Sequence, residues 1–169
     1  MKRRRVVHKK PVTTAGNGGC LDFSGVMVAE VADAAKKSAD ALKFVAESSG
    51  VCVGDTIAFS RSDLDRVEQI YRNLAGRQNG FVVISKLDFE YQMGLFLGEV
   101  IRTTLGGEWS LYQGRFHCSK PVVVRLSSGN FVDPFDFCAE LSGKSVAGFL
   151  ASTTLSQFVE GVDKLSFPA

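Results

Sequence analysis

The sequence predicts a single α+β domain, with a small antiparallel sheet of about three strands covered by helices on its N-terminal and C-terminal sides. Three observations predict it. A helical apolar stripe from Met93 to Leu105 ends at Gly106-Gly107 and gives way at once to an alternating strand around Trp109, the only tryptophan. The β-branched run Pro121-Val122-Val123-Val124-Arg125-Leu126 leads through the turn Ser127-Ser128-Gly129-Asn130 to a short Phe131-Val132 that can pair back. Helix-patterned stretches flank these strands on both sides, and helices segregated from an antiparallel sheet define the class.

Residues 1–20 are expected to be a flexible arm and residues 21–169 a single domain, with no internal repeat or second core. Lys2, Arg3, Arg4, Arg5, Lys9 and Lys10 put six basic groups and no acid into residues 2–10. The whole chain has 20 basic and 18 acidic residues, so removing the arm leaves 14 against 18 and a mildly acidic body. Such an arm suits a weak, nonspecific nucleic-acid or anionic-surface contact, or stays a solvated tail.

The first helix is expected from about Val26 to Glu47, with Val28, Val31, Ala35, Leu42 and Val45 on one side and Ser48-Ser49-Gly50 ending it. Asp33 with Lys37, and Lys36 with Asp40, are i,i+4 pairs on the solvated side. Ser60 or Ser62 then caps a second helix that buries Leu64, Val67, Ile70, Tyr71 and Leu74. Residues 75–80 read as a loop. Phe81-Val82-Val83-Ile84 is too short to assign by period, and fits a buried strand or the lead-in to the next helix.

In that helix Met93, Phe96, Leu97, Val100, Ile101 and Leu105 recur on one face, and Glu99 can meet Arg102 at i+3. Gly94 and Gly98 would each cost about 1 kcal/mol relative to alanine, so a pair four apart implies that another backbone packs closely there. Gly106-Gly107 suits a left-handed cap. Asp133-Pro134 is a helix start with Asp133 as cap, and the helix it opens stops at Gly143. A last helix is expected from Ser145 to about Val162, presenting Val146, Phe149, Leu150, Phe158 and Val162.

No stretch approaches the roughly 18–20 apolar residues of a membrane span. The arm runs into the polar, small segment Pro11–Gly19 rather than the apolar stretch of a secretory signal. Cys20, Cys52, Cys118 and Cys138 are scattered with no C-x-x-C pair, which suits reduced thiols and a cytoplasmic location. His8 and His117 are the only histidines and have no second ligand at helical spacing, so neither a metal nor another cofactor is expected.

Catalytic motifs are absent: the sequence carries no phosphate loop, nucleophile elbow or H-E-x-x-H. His117 and Cys118 are neighbours that a strand would point to opposite faces, although Cys138 could meet His117 across the fold. Glu99 and Glu108, joined by a tight turn, are the best carboxylate pair for acid–base work. Asp133 and Asp136 fit capping and helix-dipole roles instead. Surface and capping carboxylates are commoner than catalytic ones, and no residue is assigned a catalytic role.

The order Leu95-Phe96-Leu97-Gly98-Glu99-Val100-Ile101-Arg102, Leu105-Gly106-Gly107-Glu108-Trp109, then Pro121–Leu126 and Asp133-Pro134, resembles a group of uncharacterised bacterial domains. In that group a helix ending in a Leu-Gly-Glu pattern precedes a Gly-Glu-Trp strand, and some members are encoded near polymorphic-toxin or secretion-effector genes, as immunity proteins are. The resemblance covers roughly residues 86–160. It implies that Gly98, Glu99, Gly107, Glu108 and Trp109 hold the helix–strand corner, and it implies no catalytic residue. The expected function is therefore non-enzymatic binding of another protein, in the particular form of an immunity protein that covers a cognate toxin. The acidic residues Asp63, Asp65 and Glu68, or the helix face with Asp33 and Asp40, are the expected contacts for a partner with a basic cleft. A small enzyme using Glu99 and Glu108 or a Cys/His pair is the alternative, and a nucleic-acid-associated factor acting through the arm is a further one.

Overall fold

The computed structural model describes residues 23–54, 56–112, 121–142 and 154–166. The basic arm, Cys20, His117, Cys118, the expected stop at Gly143 and residues 145–153 of the expected last helix lie outside them. In chain order the elements are α1 (Phe23–Ser48), α2 (Arg61–Ala75), α3 (Lys86–Leu105), β1 (Gly107–Leu111), β2 (Val122–Leu126), β3 (Phe131–Val132), α4 (Pro134–Ser142) and α5 (Leu155–Ser166). This is the expected α+β architecture.

The sheet has the order β1-β2-β3 and is antiparallel throughout. Trp109 stands opposite Val124, Glu108 opposite Arg125, and Val124 in turn opposite Val132. Alternation along the strands therefore puts Trp109, Val124 and Val132 on one face and Glu108, Arg125 and Phe131 on the other. The first set is buried and belongs to the core.

Helix α3 is the hub of the core. It packs against α1, α4, both longer strands, α2 and α5. Phe89, Met93, Leu95, Phe96, Leu97, Val100 and Ile101 are all fully buried on it. The expected stripe had only one apolar side, whereas Leu95 and Gly98 are buried as well, because partners surround the helix. Burying each large side chain contributes about 1.5–3 kcal/mol.

Gly94 and Gly98 do lie where other elements press closest. A Cβ on Gly94 would stand 2.6 Å from the Phe135 ring and 3.3 Å from its Cα, and one on Gly98 would overlap the Trp109 ring. The close neighbour of Gly98 is thus an indole and the Pro134 ring rather than a backbone. Gly106 ends α3 with φ 72° and ψ 120°. The positive φ favours glycine, but the ψ is not that of the expected left-handed helical cap.

Local capping explains where the other helices begin. Ser60 accepts the Asp63 N–H at 3.2 Å and donates to the Asp63 carboxylate at 2.7 Å, so Ser60, not Ser62, caps α2. Ser85 and Asp88 repeat the arrangement at α3, with the same two bonds at 3.1 and 2.6 Å. Phe81–Ile84 is therefore a lead-in with no strand. Asp133 accepts the N–H groups of Phe135 and Asp136, as expected of a cap.

The last helix departs from expectation. Thr154 accepts the Gln157 N–H at 3.2 Å, and the Gln157 side chain accepts the Thr154 N–H at 3.0 Å. That reciprocal box starts a helix at Leu155, so no single helix runs from 145 to 162. On α1, Lys36 pairs back to Asp33 at 3.3 Å rather than forward to Asp40.

Candidate functional site

The helix–strand corner is built around one carboxylate. Glu99, buried on α3, receives Arg102 Nη2 at 2.7 Å and Nε at 3.0 Å, one on each oxygen. Trp109 Nε1 donates to the same group at 3.2 Å, so the indole that fills the space left by Gly98 is also anchored at its polar edge. Burial alone would raise the Glu99 pKa, but the Arg102 and Trp109 hydrogen bonds outweigh it and hold the carboxyl below its ordinary value. The group is ionised, fully engaged and structural in geometry.

Glu108 does not join it. Trp109 faces the core, so its strand neighbour Glu108 points to the opposite sheet face, where it is exposed and salt-bridged to Arg125. The expected carboxylate pair is therefore split between two sides of the sheet. The turn is as tight as expected, but strand alternation decides the direction of each side chain. Gly107 opens β1 so close to β2 that a Cβ there would stand 2.7 Å from the Arg125 carbonyl oxygen.

The acidic residues of α2 also differ from a free contact surface. Asp63 is buried and accepts Ser60 Oγ, the Ala58 N–H at 3.1 Å and Arg66 Nη1 at 2.5 Å. Burial pushes its pKa up, and these bonds together with the Arg66 charge bring it below the usual value. Glu68, only 3% exposed, is salt-bridged to Arg72 and accepts the Leu155 N–H at 3.0 Å, satisfying the first turn of α5. Asp65 accepts Ser156 Oγ at 2.6 Å, and Arg61 reaches Asp163 at 2.7 Å. Burial removes Asp63 and Glu68 from any surface that a partner could touch, and Asp65 helps to seat α5. Asp33 and Asp40, in contrast, are exposed on α1.

The cysteines offer no nucleophile–base pair among the described residues. Cys138 is buried, and burial, followed by the Glu90 and Asp133 carboxylates, pushes its thiol pKa well above the ordinary range. A protonated thiol is a poor nucleophile. Cys52 is exposed and free. Among the described residues no group of three His, Cys, Asp or Glu side chains could hold a metal ion. No helix there is long and apolar enough to cross a membrane.

Two surface features remain. On the outer sheet face, Tyr112 and Phe131 meet edge-on with ring centroids 5.6 Å apart. They are the diagonal same-face neighbours of Val123, which is buried despite pointing away from the main core. Beside them an open groove of about 510 Å3 is lined by residues that include Glu108, Arg125, Ser127 and Phe131.

The second feature is an apolar end that the sequence did not single out. Val82 is 77% exposed, Val83 44% and Leu87 75%, all within the lead-in and first turn of α3. Arg77 donates to the Ser49 carbonyl at 2.5 Å, which ties the preceding loop to the C-terminal end of α1. Phe44, 64% exposed, lies about one turn before that end. At about 100° per residue, Asp33, Asp40 and Phe44 fall within about 40° of one another around α1, so the two expected acidic contacts share a helix face with an exposed aromatic ring. The ambiguity of Phe81–Ile84 was the available signal, because an apolar run that forms no strand has to place its side chains somewhere.

No family model matches this chain, and neither a curated protein nor a solved structure resembles it significantly.

Proposed function

We propose that the chain is a non-enzymatic protein-binding module, and that its particular form is a bacterial immunity protein which neutralises a cognate secreted toxin by direct binding. The observation that carries the binding reading is the run of exposed apolar side chains Val82, Val83 and Leu87 in the lead-in and first turn of α3. Large exposed apolar side chains grouped within one short segment suit protein–protein contact better than scattered single ones do. Large apolar groups at such a surface supply the anchors of an interface, with polar residues around them. On α1, Asp40 lies one turn before the exposed Phe44, and Asp33, paired with Lys36, lies about three turns before it on the same face. Asp40 is therefore the acidic group placed to complement a basic partner surface near that ring. The toxin-neutralising form rests on the resemblance of the residue 86–160 segment and on the acidic balance of the body, which suits a toxin with a basic cleft such as a nuclease.

The test is capture from a lysate of the source organism with the wild-type chain and with the double variant Val82→Asp/Leu87→Asp. The reading expects one stoichiometric protein on the wild type and at least a tenfold loss on the variant, with an unchanged melting temperature. Equal capture by both chains would remove the apolar end from the interface, and empty capture by both would overturn the binding reading. If a partner is identified, deleting the gene for this chain should be lethal only in cells that also carry the partner gene. Survival with the partner present would overturn the immunity reading and leave protein binding standing.

A further inference from the structure

We draw no further inference here: the strongest candidate, the open groove at the hairpin end of the sheet between Glu108, Arg125, Ser127 and Phe131, is walled by a salt bridge whose two charges satisfy each other, and nothing in the structure shows what chemistry would occupy it.

Discussion

Glu99 shows what a single buried charge does in this protein. Its folded pKa lies below the ordinary glutamate value. A depressed folded pKa means that its contribution to stability is complete above the unfolded value. That contribution is lost as pH falls from there through the folded pKa. Glu99→Gln removes the charge that Arg102 faces and should cost about 1–3 kcal/mol at neutral pH. The variant should also lose part of the fall in stability expected of the wild type as pH drops through the carboxylate range. Urea unfolding followed by Trp109 fluorescence checks both, and an unchanged acid limb would show that Glu99 does not drive it. The two described cysteines give a second residue-level prediction. Site-resolved alkylation of the native protein should modify exposed Cys52 rapidly and buried Cys138 only on unfolding, by at least a hundredfold difference in rate.

At the scale of elements, the helix glycines separate packing from propensity. Alanine favours a helix interior over glycine by about 1 kcal/mol. At Gly161 on α5 an added Cβ meets nothing within 4 Å, so Gly161→Ala should stabilise by roughly 0.5–1 kcal/mol. At Gly98 the same methyl would overlap the Trp109 ring and reach Pro134. Gly98→Ala should therefore destabilise by about 1–3 kcal/mol in spite of the propensity gain. Denaturant midpoints of the two variants should move in opposite directions. The sequence made Gly98 legible, since a glycine inside a strong apolar stripe calls for a close neighbour. It could not say that the neighbour is an indole from eleven residues downstream. The hairpin and the Asp133 cap were legible for a similar reason, because turn chemistry and capping act between residues near one another in the chain. Asp63 and Glu68 were not. Whether a carboxylate is a surface charge or a buried acceptor depends on what packs over it, and for Glu68 that partner is Leu155, 87 residues away. The break at Thr154 was missed because the apolar period of the last segment carries straight across a residue whose side chain turns back to cap.

Across the whole molecule, the described residues divide into a core centred on α3 and a polar joint where α5 meets α2. The joint consists of Glu68 on Leu155, Asp65 on Ser156 and Arg61 on Asp163. Beneath it Leu155 and Val159 are fully buried, and Phe137 of α4 stacks on Phe158 at 4.1 Å. Glu68→Ala would orphan the first N–H of α5 and remove the Glu68 side of its salt bridge with Arg72. Its cost should fall near the lower end of about 3–5 kcal/mol, because Arg72 is partly exposed. Hydrogen exchange should then show the α5 amides opening before those of α3, and uniform protection would argue against a separable joint. The apolar end at Val82, Val83 and Leu87 lies outside this joint, which is why charged substitutions there are expected to spare stability while abolishing partner capture.

The Glu68–Leu155 bond also sets an order of events during synthesis. Translation at about 5–20 residues per second places an interval of roughly 4–17 s between the making of α2 and the arrival of the segment that caps its carboxylate. Throughout that interval Glu68 can stay hydrated and paired with Arg72, while the apolar side of α2 already has α3 to pack against. Until α5 arrives the apolar seat of Leu155 and Val159 stays open, and the charged seam of Glu68, Asp65 and Arg61 is the part of α2 that water can satisfy in the meantime.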